Sequence, residues 1–174
     1  MIEKLELWIY VEPTGKTPTI GKPGDAGLDC YADLTYFNPD TNLKLWVGQV
    51  AKIPLGFHYA FKIRQINSDG HPSSRVRDTN NYYIEIANRS GFGTKEVVTE
   101  LARICDASYR GIPHYSIAKI GGDVTTITHH QKICQALIHP FVDPYNINIV
   151  LVNSLEELGT TDRGSGGFGS TGTT

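Results

Sequence analysis

Turn-forming residues interrupt this chain at short intervals along most of its length. Its 174 residues include 18 glycines and 9 prolines, which separate short segments rich in β-branched and aromatic residues. Several segments alternate apolar with polar side chains, as half-buried strands do. The segments are 4–11, 43–53, 56–63, 82–87, 114–120, 123–127, 133–139 and 147–151. Many short strands separated by turns predict an all-β barrel or jelly roll.

Two regions depart from this strand pattern. Residues 94–102 are the one plausible helix, of a turn or two. Residues 64–81 are polar, charged and rich in turn formers, and we interpret them as an inserted surface loop or an extended hairpin. Such an insertion could cover a subunit edge or bind a partner, but tolerated surface is the favoured interpretation.

Charge and cysteine content limit the classes of partner. The formal net charge of -2 predicts no strongly basic face, which argues against nucleic acid as the main partner. The cysteines at 30, 105 and 134 are widely spaced, which is typical of reduced thiols rather than a disulfide set or a zinc site. The sequence shows neither an apolar run of about 18 residues nor a signal-peptide pattern. We therefore expect a cytoplasmic protein (host cytoplasm, if viral) with no membrane partner.

The C-terminal residues 162–174 form the most informative segment. Glycine-rich backbone can turn its N–H groups toward an anion, and Arg163 adds a planar charged fork suited to phosphate. Phe168 has no core to join there, so its ring could stack on a flat ligand. The segment is typical either of a lid over a phosphorylated, ring-bearing molecule or of a plain Gly/Ser terminus.

Two turns could carry further chemistry. Arg89, Ser90 and Gly91 directly follow a predicted strand, where they would form either a phosphate cradle or a solvent-facing turn. Asp106 and Tyr109 share what the spacing predicts to be a tight turn. Asp106 could activate water there, or it could simply cap the turn while the tyrosine packs.

Two strand-like segments contain isolated polar residues. Asp29 closes the segment 25–29, which by itself is most simply a turn entering a strand. Gln135 interrupts the apolar run 133–138, where a core glutamine with satisfied hydrogen bonds is the default interpretation.

In their order and spacing, these elements resemble the five motifs of the trimeric deoxyuridine triphosphatase (dUTPase) family. The first three family patterns, AGxD, RSG and DxxYRG, correspond to residues 26–29, 89–91 and 106–111. The fourth is a glutamine-bearing strand, matched by Gln135, and the fifth, RGxGGFGSTG, corresponds to residues 163–172.

The resemblance implies a jelly-roll-like β-barrel protomer that assembles into a homotrimer with composite active sites. Motifs one, two and four would come from one subunit, the third from a neighbour and the fifth from the remaining one. The implied reaction is hydrolysis of dUTP to dUMP and pyrophosphate, which limits uracil incorporation into DNA and supplies dUMP for dTMP synthesis.

The resemblance also implies roles for single residues in the reaction. Asp106 would activate the water that attacks the α-phosphate, and Tyr109 would pack against the deoxyribose. Arg89 would organise the phosphate region. Asp29 would help to organise the magnesium–triphosphate region through water, with Mg²⁺ carried by the nucleotide. Contacts to phosphate oxygens are implied for Ser90, the Gly91 amide and Gln135.

The fifth motif is implied to close over the substrate. Arg163 would pair with the γ-phosphate, and Phe168 would stack on uracil. Further amide and hydroxyl contacts are implied for Ser165, Gly167, Ser170 and Thr171. We therefore assign residues 1–160 to one β domain, and residues 161–174 to a flexible glycine-rich lid.

Some flanking residues depart from the family pattern. The resemblance implies that backbone groups of the third-motif turn read uracil. Arg103 stands where this motif usually has glycine, and Pro113 follows the motif, so the turn could differ in detail. Lys132 replaces an arginine ahead of the fourth motif. Two alternatives use the same scaffold: a dCTP deaminase, and a regulatory protein that binds partners according to nucleotide occupancy.

Overall fold

The computed structural model describes residues 2–35, 37 and 42–161. Within these ranges the regular structure is almost entirely β, so the all-β prediction is confirmed. The strands are β1 (Ile2–Val11), β2 (Thr19–Ile20), β3 (Gly27–Tyr31), β4 (Leu43–Leu45), β5 (Val50–Pro54), β6 (Phe57–Ile66), β7 (Pro72–Asp78), β8 (Tyr82–Asn88), β9 (Val98–Ala102), β10 (Ile104–Cys105), β11 (His114–Lys119), β12 (Thr125–Ile127) and β13 (Lys132–Pro140). Helix α1 covers Ser90–Glu96, and two short 3-10 helices cover Pro144–Asn146 and Leu155–Leu158.

The strands of the described residues pair antiparallel in four sheets. Their strand orders are β1-β6-β7, β10-β8-β13-β3-β2, β5-β11-β9 and β12-β4. The second of these sheets places β13 between β8 and β3, which are far apart in the sequence. This neighbourhood determines where the sequence motifs meet.

Strand β6 shows how the alternating pattern builds the core. Phe57, Tyr59 and Phe61 are buried, whereas the residues between them face outward. Successive side chains of a strand point to opposite faces, so this alternation buries one face of β6 and leaves the other partly in water.

The segment 43–53, expected as one strand, is two strands. A turn at residues 46–49 separates β4 from β5, and Gly48 has a φ of 86° there. Glycine adopts positive φ without the steric cost that a Cβ imposes, so the turn forms readily within this segment.

The helix prediction over 94–102 is wrong in position. Helix α1 is Ser90–Glu96, and it ends at Val97, whose left-handed φ of 49° breaks the helical path. Residues Val98–Ala102 are strand β9, which pairs with β11. Strand pairing outweighs local helix preference here, and the glycines of α1 hide the helix from propensity arguments.

The strand expected at 147–151 is also wrong. The structure assigns no strand there, and Ile149 and Leu151 are 82% and 90% exposed. A strand needs a partner for its backbone hydrogen bonds, and no described strand of this chain pairs with the segment.

Residues 64–81 take the form of an extended hairpin. Strand β6 continues to Ile66, and β7 returns antiparallel beside it, with Lys62 opposite Asp78. By its internal packing, the chain separates into two compact units, Met1–Val142 and Asp143–Thr174. In the part of the chain that the structure describes, no helix has the length and apolar character that crossing a membrane requires.

Candidate active site

Strand register brings the first, second and fourth motifs together. On one side of β13, Gln135 lies opposite Asp29 of β3. On its other side, Gln135 lies opposite Ala87 of β8, two residues before Arg89. Residues separated by about a hundred positions along the chain therefore become neighbours on one sheet.

The carboxylate of Asp29 connects two cationic side chains. Its Oδ1 lies 2.7 Å from Arg89 Nε, and its Oδ2 accepts a hydrogen bond from Lys132 Nζ at 2.9 Å. Burial raises the pKa of Asp29, but the hydrogen bond from Lys132 and the charges of Lys132 and Arg89 outweigh burial and hold the pKa below its ordinary value. Asp29 is therefore an ionised anchor for both cations.

These residues line an open cleft of about 630 Å³. Its charged lining consists of three cationic side chains and two carboxylates: Lys22, Arg89, Lys132, Asp25 and Asp29. One cation is in excess, so the cleft favours an anion. The sequence did not predict that Lys22 lies in the cleft, and Lys132 was noted only as a departure from the family pattern. A single lysine beside a turn does not indicate a binding site until the strand pairing is known.

Two glycines of the cleft, Gly27 and Gly91, differ in the space around their Cα atoms. A Cβ on Gly27 would lie 2.8 Å from Leu137 Cδ2 and 3.1 Å from the Ala136 carbonyl oxygen, so a side chain there would require Leu137 and β13 to shift. A Cβ on Gly91 would meet nothing within 4 Å. Gly91 therefore leaves its backbone open to the cleft, where a ligand can approach closely.

Asn88 positions the second motif, and the sequence analysis missed it. Its carbonyl oxygen accepts a hydrogen bond from Gln135 Nε2 at 3.0 Å, and its Oδ1 accepts one from the buried Tyr115 hydroxyl. These bonds secure the end of β8 immediately before Arg89 and Ser90. Sequence motifs could not predict this role, because it depends on contacts with β11 and β13, which are distant from β8 in the sequence.

The third motif forms the tight turn that its spacing predicts. The Tyr109 amide donates to the Asp106 carbonyl oxygen at 3.1 Å. That oxygen also accepts a hydrogen bond of 2.6 Å from the hydroxyl of Tyr59 on β6. Burial raises the pKa of Tyr59 far above its ordinary range, so the hydroxyl keeps the proton it donates. The Asp106 side chain remains exposed.

Asp106 and Tyr109 line a second, smaller cavity of about 200 Å³. The Tyr109 hydroxyl donates to the Ile112 carbonyl oxygen at 3.1 Å. A Cβ on Gly111 would lie 2.4 Å from that hydroxyl, so the turn needs glycine there. None of the described residues that line this cavity lines the larger cleft. Within one chain, the third motif therefore lines a different cavity from the first, second and fourth motifs.

The unusual flanks of the third motif fit the fold. Arg103 is half-exposed and pairs with Glu85 and Glu100 on the sheet surface, so a side chain is accommodated where the family usually has glycine. Pro113 is buried, and its carbonyl oxygen accepts the Leu55 amide at 3.0 Å. The proline lacks an N–H donor, yet its carbonyl still ties the turn to the core.

The described residues contain no group of three or more His, Cys, Asp or Glu side chains placed to hold a metal ion. Both carboxylate oxygens of Asp29 face cations, so this side chain is not set as a direct metal ligand. The cleft therefore suits a metal ion whose ligands come mostly from the substrate and water, such as Mg²⁺ bound to a triphosphate.

The fifth motif lies outside the described residues. This applies to the roles expected of Arg163, Ser165, Gly167, Phe168, Ser170 and Thr171, and to nearly all of the lid expected at 161–174.

Sequence comparisons identify related proteins. A family model described as dUTPase matches residues 74–172. The deoxyuridine 5'-triphosphate nucleotidohydrolase of Roseobacter denitrificans is 31% identical over 157 residues, covering 89% of this chain and 86% of the relative. The protein of the same name from Photorhabdus laumondii is 29% identical over 177 residues and covers 99% of both chains.

Structure comparisons identify the same kind of protein. A dUTPase variant of Staphylococcus bacteriophage 80alpha, solved with dUpNHpp, has a TM-score of 0.72 at 18% identity, covering 97% of this chain and 99% of that chain. A dUTPase variant from phage phi11 of S. aureus, described as revealing the coordination of a structural Mg(II) ion, has a TM-score of 0.62 at 16% identity, covering 87% and 99%. At these identities the likeness establishes the fold, and the jelly-roll-like β prediction is confirmed.

Proposed function

Because the chain belongs to the dUTPase family, we propose that it hydrolyses dUTP to dUMP and pyrophosphate in the cytoplasm. This activity would limit uracil incorporation into DNA and would supply dUMP for dTMP synthesis. The proposal rests above all on the cationic cleft, in which the Asp29 carboxylate orients Arg89 and Lys132.

In this proposal the cleft binds the triphosphate. Ser90, the Gly91 amide and Gln135 contact phosphate oxygens, while Arg89 organises the region through its ion pair with Asp29. A triphosphate carries nearly four negative charges, and fixed cations must offset them before a nucleophile can approach.

Mg²⁺ would arrive on the triphosphate, where it supplies further neutralisation of the phosphate charge. Asp29 would reach the ion through water, because its own oxygens already accept from two cations. The Asp25 carboxylate, which also lines the cleft, would add negative charge near the ion's water shell.

Asp106 is proposed as the base that takes a proton from the attacking water at the α-phosphate. Its exposed carboxylate lies in a turn held by Tyr59, so a base is presented on a fixed backbone. Tyr109 would pack against the deoxyribose and would leave no room for a 2′-hydroxyl.

A homotrimer with composite sites would join the two cavities. The separate linings of the cleft and the smaller cavity support this arrangement, because neither contains all the proposed groups. The segment after Val142 adds support, since it exposes several apolar side chains that a monomer would leave in water. Examples are Tyr145, Ile149, Leu151, Leu155 and Leu158.

The fifth motif would complete the site from the remaining subunit. Arg163 would bind the γ-phosphate, and Phe168 would stack on uracil. Ser165, Gly167, Ser170 and Thr171 would close over the phosphate chain, which excludes bulk water during the reaction.

The direct test is to incubate the purified protein with Mg²⁺ and, separately, dUTP, dCTP, dTTP or UTP. Pyrophosphate and dUMP formed from dUTP alone are the expected products. Ammonia released from dCTP would instead identify a deaminase, and binding without turnover would favour the regulatory alternative.

A subunit-mixing experiment tests the composite site. Asp106→Asn removes the proposed base, and Ser90→Glu places negative charge in the phosphate cleft at an exposed helix start that tolerates glutamate. Each variant alone should be inactive. After co-refolding in equal amounts, about a quarter of the sites should pair an intact cleft with an intact third motif from a neighbour. If the mixture has no activity although both variants assemble, the composite arrangement is wrong.

A further inference from the structure

Two consecutive residues at the start of β6 hold both ends of the turn that carries Asp106. The Tyr59 hydroxyl donates to the Asp106 carbonyl oxygen at 2.6 Å. The imidazole Nδ1 of His58 lies 2.6 Å from the Arg110 carbonyl oxygen. Both bonds reach the turn from β6, where His58 and Tyr59 are paired with β1.

The partners of His58 require both ring nitrogens to carry protons. A carbonyl oxygen only accepts hydrogen bonds, so Nδ1 must donate to Arg110. Nε2 lies 2.6 Å from Glu12 Oε1, and an ionised carboxylate is likewise only an acceptor. The hydrogen bond to the Arg110 carbonyl and then the Glu12 carboxylate raise the pKa of His58 above its ordinary value, although burial opposes them.

Other titratable or charged groups lie near this imidazole. The Tyr10 ring packs against it with centroids 5.8 Å apart. Arg110 turns its guanidinium back onto the Ala107 carbonyl oxygen at 2.7 Å, within the turn itself. The remaining groups are Lys52 on β5 and His114 on β11, which share a cavity with His58, and Asp78 on β7, which faces the Arg110 charge.

We propose that His58 is a positioning residue, whose imidazolium, held by Glu12, keeps the Asp106–Arg110 turn in the shape that hydrolysis requires. This inference rests on the proposed role of Asp106. When the ring loses a proton, the charged Glu12 acceptor retains the Nε2 proton more strongly than the neutral carbonyl retains that of Nδ1. The bond to Arg110 is then lost, and the turn is held at one end only.

The test compares His58→Gln, Glu12→Gln and the wild type across neutral and alkaline pH, with kcat and KM for dUTP measured separately. His71→Gln is the matched control, because His71 lies exposed at the tip of the hairpin. In the wild type, kcat should fall as pH rises through the pKa of His58. Glu12→Gln should move this fall to lower pH, since the ring loses its carboxylate partner.

His58→Gln should lower kcat about tenfold, leave KM nearly unchanged and abolish the alkaline fall, because the turn is misplaced while the phosphate cleft is intact. His71→Gln should match the wild type. If Glu12→Gln and His58→Gln assemble and keep both the kcat and the pH profile of the wild type, His58 has no positioning role.

A spectroscopic measurement separates this inference from the proposed activity. The Arg110 carbonyl belongs to the peptide that contains the Gly111 amide, so in the wild type the Gly111 amide resonance should titrate together with the His58 ring. In His58→Gln the Gly111 resonance should show no such titration. A Gly111 resonance that is indifferent to the His58 titration would overturn the inference, whether or not dUTP is hydrolysed. A wild type that leaves dUTP intact while the two titrations coincide would overturn the proposed function, whereas the control of the turn by the protonation of His58 would stand.

Discussion

Replacing Asp29 by asparagine tests the central ion-pair arrangement of the cleft. The substitution keeps the shape of the side chain but removes the charge that Arg89 and Lys132 share. Breaking a fully buried pair costs about 3–5 kcal/mol, and an exposed pair about 0–1 kcal/mol. The side chain of Asp29 is 16% exposed, but its partners are 35% and 42% exposed, so we expect a loss of about 1–2 kcal/mol.

Thermal unfolding of the assembled protein measures this loss. For a chain of this size, 1 kcal/mol shifts Tm by about 2–4 °C, so Asp29→Asn should lower Tm by about 2–8 °C at neutral pH. Asp25→Asn is the matched control: Asp25 lines the same cleft, but its carboxylate accepts the Lys22 backbone amide at 2.7 Å. That control should lower Tm by less.

The Tm difference between the wild type and Asp29→Asn should change with pH in a defined direction. The folded-state pKa of Asp29 is lowered, so the stabilisation is present above the unfolded pKa and is lost as pH falls through the folded pKa. The Tm difference between wild type and Asp29→Asn should therefore shrink at acidic pH. An equal Tm at neutral pH, or a difference that grows in acid, would refute the ion-pair argument.

Kinetic measurements on Asp29→Asn distinguish an orienting role of Asp29 from an effect of the net charge of the cleft. Asp29→Asn makes the cleft more positive, so a cleft that worked by net charge alone would bind dUTP more tightly. If Asp29 instead orients Arg89, kcat/KM should fall about 10- to 100-fold. Tighter binding with unchanged turnover would eliminate the orienting role.

Four further variants test the proposed site and its packing. Asp106→Asn should reduce kcat by about 10²- to 10⁴-fold while dUTP binding, measured by calorimetry, stays close to that of the wild type; near-normal turnover would exclude Asp106 as the base. Truncation before Arg163 should leave an assembled protein with little activity, and Phe168→Ala should lower kcat/KM more than Tm; full activity of the truncated chain would refute the proposed lid. Gly27→Ala should destabilise the fold by about 1–3 kcal/mol in urea unfolding, because the new methyl would meet Leu137 at 2.8 Å; an unchanged urea midpoint would show that β13 can move aside.

Local sequence determined the fold class and the identity of the motifs. The alternation in β6 predicts a half-buried strand because successive side chains point to opposite faces whatever the partner strand is. The turn from Asp106 to Tyr109 is likewise local, since the bond that closes it joins residues three positions apart. Such features need only neighbouring residues, so they can be recognised before any strand is paired.

The wrong predictions over 94–102 and 147–151 show which features cannot be predicted from local sequence. Val98–Ala102 is a strand because β11 is available to pair with it, and residues 147–151 are not because no described strand of the same chain pairs with them. The backbone of an isolated segment has the same preferences in either case. Only the presence of a partner decides whether its hydrogen bonds are made.

The functional contacts divide in the same way. The sequence by itself determined that this is a β protein bearing an arginine-, glutamine- and aspartate-containing motif set, because residue types and short spacings are written along the chain. Tertiary structure alone decided that Asp29 holds Arg89 and Lys132, and that His58 reaches the Arg110 carbonyl. Each of these contacts joins residues far apart in the sequence, and it exists because strand register places their side chains within hydrogen-bond distance.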